Sequence, residues 1–138
     1  MAERLEVTAA WRGGYATDVR ARGHEIRVDE PGWGGDTGMM PTELFCASMA
    51  SCFCLAVAHV AGKRGIATPG LEVTVEAERA GTELRYGRMT VTATAAMEPA
   101  VLDELVGRAV RFCWVSNTLA EGVDVEYRST AMDADFRK

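Results

Sequence analysis

Four cysteines are the residues of this 138-residue chain whose side chains most readily do chemistry. Cys46, Cys52 and Cys54 are close in sequence, and Cys113 follows 61 residues after Cys52. A cysteine thiolate is a nucleophile, a redox group and a metal ligand. The first residues lack the apolar core of a signal peptide. We therefore expect a cytoplasmic protein with free or catalytic thiols rather than a structural disulfide framework.

The spacing of these cysteines limits which of them can react together. On a helix, Cys52 and Cys54 point about 200° apart, and Cys46 and Cys54 stand eight residues apart along the axis. A disulfide would therefore join one of these three to Cys113. From spacing alone the favoured interpretation is simpler, that all four cysteines are small buried hydrophobic residues. No Cys-x2-Cys pair occurs, so no metal site is predicted.

The segment that carries three of the cysteines must be a long apolar helix. Residues 44–61 contain no Asp, Glu, Lys or Arg, which is near the lower limit for a membrane span. However, Glu43 abuts one end, His59 lies inside, and the remaining residues are weakly hydrophobic. We therefore predict no membrane span but a central helix from Pro41 to about Gly62, buried on most sides.

The elements around this helix predict an α+β fold. Alternating apolar residues indicate three strands before it, two strands after it and one strand near the end of the chain, at residues 5–11, 15–19, 24–28, 71–77, 89–95 and 123–127. A second helix begins at Pro99 and a short one spans residues 116–120. The order β-β-β-α-β-β-α-α-β is typical of helices packed on an antiparallel sheet. We expect one domain over residues 1–138.

Composition and loops exclude several function classes. The formal net charge is −5 and the sequence contains no run of Lys or Arg, which argues against nucleic acid as a partner. The Gly-rich segment 31–38 lacks the Lys-Ser/Thr pair of a phosphate-binding loop and the spacing of a dinucleotide site. We therefore expect a flexible loop that leads into the central helix, and no cofactor.

Several short motifs resemble the OsmC/Ohr family, named for osmotically induced protein C and organic hydroperoxide resistance protein. Residues 34–38 (GGDTG), 41–45 (PTELF) and 50–52 (ASC) are similar to its Gly-rich loop and central catalytic helix. Cys113, followed by two residues and then Ser116-Asn117, resembles its second signature. Residues 29–31 and 118–125 are also similar to family members. The resemblance implies an OsmC-like fold, in which two subunits intertwine as a homodimer with sites at the interface.

The resemblance also implies a mechanism for two of the cysteines. By motif match, Cys52 is the peroxidatic thiol, which attacks the terminal oxygen of a peroxide and becomes a sulfenic acid. Cys113 is the resolving thiol, which condenses with it to a disulfide that an external dithiol reduces, a lipoyl-type dithiol being one candidate. Cys46 and Cys54 match no catalytic position and are predicted to pack.

A thiolate needs a cation nearby, and in the family an arginine oriented by a glutamate supplies it. Glu43, nine residues before Cys52, is the candidate glutamate. In the peroxidases compared, the glutamate follows the proline directly, whereas here Thr42 lies between them. Arg27 resembles the family arginine, and the alternatives are Arg12, Arg20 and Arg22. Each of these arginines has a simpler interpretation as a solvated surface charge.

Three further side chains lie near the proposed site in sequence. His59 follows Cys52 by seven residues, about 10 Å of helical rise, so we expect a packing or hydrogen-bonding role rather than a base. Trp33 and Trp114 either wall an apolar pocket or make core or dimer contacts. Met49, Phe53, Leu55 and Ala56 surround Cys52 in sequence and predict an apolar cleft that prefers organic hydroperoxides over hydrogen peroxide.

Three functions are consistent with these residues. The leading hypothesis is a thiol-dependent peroxidase that reduces organic hydroperoxides to alcohols through Cys52 and Cys113. The first alternative is a non-enzymatic binder that holds a small hydrophobic ligand in an OsmC-like dimer cleft. The second is a redox sensor that partners another protein. Oxidation without turnover would indicate the sensor, and absence of oxidation would indicate the binder.

Overall fold

A computed structural model describes residues 3–133 of the chain. Within that range it contains two antiparallel sheets and three α-helices, which confirms the predicted α+β class. The elements in chain order are β1 (Thr8–Trp11), β2 (Thr17–Ala21), β3 (His24–Val28), α1 (Pro41–Lys63), β4 (Glu72–Arg79), β5 (Tyr86–Thr94), α2 (Pro99–Ala109), one turn of 3₁₀ helix (Val110–Phe112) and α3 (Trp114–Glu121).

The first sheet is a three-stranded meander in the order β1-β2-β3. Val19 in the central strand pairs with Ala9 on one side and Ile26 on the other. Within residues 3–133 this sheet packs mainly on itself and has at most slight contact with the helices. As a result Trp11 is 72% exposed and Ile26 is 44% exposed. The sheet therefore has an apolar surface that the other residues between 3 and 133 leave uncovered.

The Gly-rich loop between β3 and α1, expected from the sequence to be flexible, makes several hydrogen bonds in this structure. The buried Asp29 carboxylate accepts hydrogen bonds from the Glu30 amide at 2.8 Å and from the Thr37 amide and hydroxyl at 3.1 and 2.6 Å. A side chain at Gly34 would collide with Asp29, and one at Gly38 would collide with the carbonyl of Arg27. Both glycines are needed because the backbone passes so close to these groups.

The second layer consists of the β4–β5 hairpin and the helices that pack on it. Val75 of β4 lies opposite Val91 of β5, and both side chains pack against the core. Residues two apart on a strand share one side, so alternate residues of the hairpin face the core. α1 lies across β4, and α2 and α3 pack against α1. The buried cluster between them is Met49, Cys52, Phe53, Ala56, Val57, Val60, Ala61, Leu105, Ala109 and Cys113.

Helix α1 is buried along one face only, which corrects the prediction of burial on most sides. The face that includes Cys52 and Val57 joins the core, while Leu55 on another face is 65% exposed. The Ser48 and Ser51 hydroxyls donate to carbonyls of the preceding turn and so need no outside partner. By length and composition α1 could cross a membrane, but the core helix of a soluble protein has the same properties.

The strand predicted at residues 123–127 does not form in this structure. Val123, Val125 and Tyr127 are 70%, 63% and 90% exposed, and within residues 3–133 no neighbouring strand pairs with this segment. Alternation of apolar residues gives the segment a strand pattern, but a strand needs a partner to satisfy its backbone groups. The described part of one subunit does not supply that partner.

Candidate functional site

The site is built where α1 meets the segment between the 3₁₀ turn and α3. Cys52 lies on the buried face of α1 and is 8% exposed, and Cys113 is fully buried. Cys113 is the N-cap residue of α3, and its Sγ accepts a hydrogen bond from the Ser116 amide at 3.4 Å. The Cys113 Sγ also lies 3.9 Å from the Sδ of Met49, one helical turn before Cys52.

The thiols of Cys52 and Cys113 are neighbours within the apolar cluster. Burial raises the pKa of the Cys113 thiol, the adjacent Cys52 side chain raises it further, and the hydrogen bond from the Ser116 amide partly opposes both effects. Cys113 is therefore protonated at neutral pH. Both cysteines are free in this structure, so the arrangement is that of a reduced dithiol.

Cys46 and Cys54 lie outside this cluster. Both are free and only partly buried, unlike Cys52 and Cys113. The interpretation that all four cysteines are buried hydrophobic residues is therefore wrong for these two. Of the three cysteines on α1, Cys52 is the one that the fold brings next to Cys113. Angular spacing had left all three as possible partners of Cys113.

Glu43 and Arg27 do not meet within one chain. The Glu43 Oε1 accepts a hydrogen bond from the Met40 amide at 2.9 Å and so caps the N-terminus of its own helix. The Arg27 Nε instead donates to the Oδ1 of Asp18 at 2.6 Å. The expected contact, in which Glu43 holds Arg27, is absent from the described residues.

Asp18 is the ion-pair partner of Arg27, which sequence reasoning missed. It binds two arginines at once, because Arg12 donates to its second carboxylate oxygen at 2.7 Å. Hydrogen bonds from Arg27 and then Arg12 lower the pKa of Asp18, and Asp18 in turn raises the pKa of Arg27. Asp18 lies directly opposite Arg27 in the β2–β3 ladder, so the hairpin register would have predicted this ion pair.

The remaining predicted residues lie outside the buried cluster that contains the two thiols. Arg20 is exposed on β2, and Arg22 occupies the next turn with a φ of 58°. The ring of His59 contacts Phe112 with 5.5 Å between centroids, which fits the predicted packing role. Trp33, 79% exposed, packs on Tyr15, and Trp114 is 56% exposed. Neither tryptophan belongs to the cluster around Cys52.

No group of three His, Cys, Asp or Glu side chains among the described residues could hold a metal ion. The reactive side chains in the buried cluster are the two thiols of Cys52 and Cys113. Adjacent thiols in one apolar cluster can interconvert between a dithiol and a disulfide with transfer of two electrons.

Comparison with known proteins agrees with this geometry. The family model described as OsmC-like protein matches residues 34–128, a range that contains both Cys52 and Cys113. The chain belongs to the OsmC-like protein family. No curated protein matches the chain.

Solved structures extend the OsmC-like likeness over most of the chain. The organic hydroperoxide resistance protein OhrB of Bacillus subtilis is 29% identical, with a TM-score of 0.63, and the match covers 89% of this chain and 95% of that one. An organic hydroperoxide resistance protein OsmC from Legionella pneumophila is 25% identical, with a TM-score of 0.62 and coverage of 91% and 96%. An OsmC-like protein from Mycoplasma pneumoniae has a TM-score of 0.76 at 16% identity, with coverage of 87% and 89%.

Proposed function

We propose that the chain is a thiol-dependent peroxidase that reduces organic hydroperoxides to alcohols, as a cytoplasmic homodimer of one OsmC-like domain spanning residues 1–138. The observation that carries the proposal is the adjacency of Cys52 and Cys113 in one apolar cluster, at the two cysteine motifs of the family. Two similar solved structures are named as organic hydroperoxide resistance proteins. No bound cofactor is needed, because the thiols carry both electrons.

The first step forms a sulfur–oxygen bond. The Cys52 thiolate attacks the terminal oxygen of the hydroperoxide, and the oxygen–oxygen bond breaks. The leaving alkoxide takes a proton and departs as the alcohol, while Cys52 becomes a sulfenic acid. Cys52 is suited to this role because it is the more exposed of the two thiols, 8% against 0% for Cys113.

The second step closes the disulfide. The Cys113 sulfur attacks the Cys52 sulfur, hydroxide leaves, and with the Cys113 proton it forms water. The raised pKa of Cys113 suits a resolving thiol, because a protonated thiol does not itself attack peroxide before Cys52 is oxidised. The sulfurs need only a small approach, since both already lie in one cluster.

An external dithiol, for which a lipoyl-type compound is one candidate, then restores both thiols. It attacks the Cys52 sulfur, because Cys113 is buried. Cys113 leaves as a thiolate, which the Ser116 amide stabilises at the N-terminus of α3. The second thiol of the reductant resolves the mixed disulfide, so that the two electrons pass to the protein and the reductant becomes a disulfide.

We further propose that Arg27 and Glu43 act at the site from across a subunit interface. OsmC/Ohr proteins are typically dimeric and act on hydroperoxides. In this chain the Arg27 side chain is 42% exposed on the N-terminal sheet, and within residues 3–133 no strand pairs with the segment 123–127, which has a strand pattern. A second copy would cover both. Within residues 3–133 no hydrogen bond engages the Oε2 of Glu43, which leaves that oxygen for an arginine of the second copy.

Substrate preference follows from the surroundings of Cys52. Met49, Phe53 and Ala56 are buried beside it, whereas Leu55 is exposed on another face. Each substrate methylene buried there contributes about 0.8 kcal/mol, so a four-carbon substituent adds roughly 3 kcal/mol, about a hundredfold in binding. Hydrogen peroxide gains none of this.

The test is the rate at which Cys52 is oxidised by tert-butyl hydroperoxide, cumene hydroperoxide and hydrogen peroxide, followed by turnover with dihydrolipoamide. We expect both organic substrates to react faster by roughly a hundredfold. Cys54→Ser serves as the matched control, because Cys54 lies two residues away but outside the cluster. Equal rates for all three substrates would reject the apolar cleft, and negligible rates for all would reject the peroxidase.

One observation favours the non-enzymatic binder as a second candidate. A groove of about 920 Å³ lies between the N-terminus of α1, the β4–β5 turn and α3, and its apolar side chains include Phe45, Leu84 and Met89. A small hydrophobic ligand would fit there without using either cysteine. Saturable binding of such a ligand, with unreactive thiols, would establish this candidate.

A further inference from the structure

The fold gathers four basic side chains at one end of the helical layer. Lys63 ends α1, Arg64 follows it, Arg108 lies in the last turn of α2, and Arg111 lies in the 3₁₀ turn. With His59, Val60 and Phe112 they line a cavity of about 240 Å³, called here the basic cavity. This cluster cannot be recognised from the sequence, because the β4–β5 hairpin lies between α1 and α2 in the chain.

The positive charge of the basic cavity is only partly compensated. The Oε1 of Glu104 forms an ion pair with Arg64 at 3.1 Å and accepts a hydrogen bond from Arg108 at 3.3 Å. Within residues 3–133 no ion pair engages Lys63 or Arg111. Four cations against one carboxylate leave three formal positive charges, in a chain whose net charge is −5. A bound anion would relieve the repulsion between them.

An exposed aromatic surface adjoins these cations. The rings of His59 and Phe112 lie 5.5 Å apart between centroids, and Phe112 is 49% exposed. Helix dipoles explain cations at the C-terminal ends of α1 and α2. They do not explain why an exposed phenyl ring shares the same small cavity. A ligand with a charged group and a flat apolar body would use both features.

We propose that the basic cavity binds a small aromatic organic anion, with its carboxylate or phosphate on Lys63 and the arginines and its ring against Phe112. The volume is below the roughly 300–1,000 Å³ typical of sites for drug-sized ligands, which limits the body to about one ring. A concave site of this size does not suit the broad surface of an acidic protein. This site is separate from the thiol chemistry and does not depend on it.

The test is an NMR titration of the full-length reduced protein with three probes. Phenyl phosphate carries charge and ring, inorganic phosphate carries charge alone, and benzamide carries a ring alone. We expect phenyl phosphate to bind about tenfold more tightly than either of the others, with shifts centred on Phe112 and weaker affinity at high salt. Absence of phenyl phosphate binding, or affinity equal to that of inorganic phosphate, would overturn the proposal.

Substitutions then locate the site. Arg111→Gln and Lys63→Gln should each weaken phenyl phosphate binding by about two- to fivefold, and Phe112→Ala should bring its affinity to that of inorganic phosphate. Arg4→Gln is the control, because it makes the same charge change at an exposed residue outside any helix or strand. Equal weakening by Arg4→Gln would reject a defined site. A changed molecular mass of Arg111→Gln by light scattering would instead identify this face as an interface between copies and contradict the proposal.

Discussion

The helical layer and the N-terminal sheet of this OsmC-like chain are held together by opposite means. In the helical layer, α1, α2 and the β4–β5 hairpin bury a cluster without charged residues that includes both Cys52 and Cys113. In the N-terminal sheet, the organising contacts are polar, with Asp18 between two arginines. The loop that follows closes on the buried carboxylate of Asp29.

In the peroxidase that we propose, the two halves of the site are built in different regions of the fold. Apolar packing positions the sulfurs, and hydrogen bonds position the cation Arg27, but in one chain Arg27 pairs with Asp18 rather than with a group near Cys52. The described residues of one subunit therefore bring the two thiols together without the proposed cation. We expect a second copy to bring the halves together, and light scattering that gave one subunit's mass, about 14.9 kDa, would contradict this.

The largest expected effect is loss of the nucleophile from the helical layer. Cys52→Ser should reduce hydroperoxide consumption to the rate without protein, because a serine hydroxyl cannot form a sulfenic acid. Cys113→Ser should leave one oxidation of Cys52 but block turnover with a dithiol. A ferrous-xylenol orange assay measures both. Full turnover by either variant would break the assignment of the two thiols.

Truncation of an apolar side chain should lower the unfolding free energy more in the helical layer than in the N-terminal sheet. Leu105 is fully buried beside the thiols, and Leu105→Ala should lower the unfolding free energy by about 2–5 kcal/mol. Ile26→Ala in the N-terminal sheet should cost less than about 1 kcal/mol, since Ile26 is 44% exposed. Urea unfolding measures both. Equal losses would mean that the sheet is packed as tightly as the helical layer, through contacts made only in the assembly.

Removal of the proposed cation should have a smaller effect. Arg27→Ala should slow peroxide attack about tenfold at neutral pH and move its pH profile upward, because a nearby cation shifts thiol ionisation by about a unit or more. Arg20→Ala, an exposed arginine on the same sheet, is the control. Stopped-flow oxidation from pH 5 to 10 gives both profiles. An unchanged profile for Arg27→Ala would remove Arg27 from the site.

The smallest expected effect concerns acid stability of the N-terminal region. Hydrogen bonds from Thr37 lower the pKa of Asp29 below 3.8, and arginine contacts lower that of Asp18. A carboxyl with a lowered pKa stabilises the fold above the unfolded pKa, and this contribution is lost as pH falls through the lowered folded value. Unfolding free energy should therefore decline below about pH 4, and less so in Asp29→Asn. The same decline in both proteins would exclude Asp29 as a cause.

Much of the fold was predictable because its apolar patterns are local. The long helix follows from the uncharged apolar run that begins after Pro41, and the β4–β5 hairpin follows from alternating apolar residues. The absence of strand pairing at residues 123–127 was not predictable, because pairing depends on a partner strand that the described residues do not contain. Predicting the pairing of Arg27 with Asp18 would have required the register of the β2–β3 hairpin. The pattern of apolar residues does not specify which polar residues lie opposite each other.

The candidate site was predictable in its sulfurs and not in its charges. Angular spacing excluded disulfides among the three cysteines of α1, so that any disulfide had to join one of them to Cys113. The motif match then selected Cys52. Glu43 has the right type and distance along the helix, yet its carboxylate caps the N-terminus of α1. Capping is local and satisfies an otherwise free amide, so it takes precedence over a distant arginine.

The most direct test of the account is peptide mapping of the protein after one equivalent of tert-butyl hydroperoxide. The neighbouring thiols in the apolar cluster predict one main product, an intramolecular disulfide between Cys52 and Cys113. Cys46 and Cys54 should remain free and react with an alkylating reagent after unfolding. A main product that contains Cys46 or Cys54 in the disulfide, or a protein that stays fully reduced, would contradict the account.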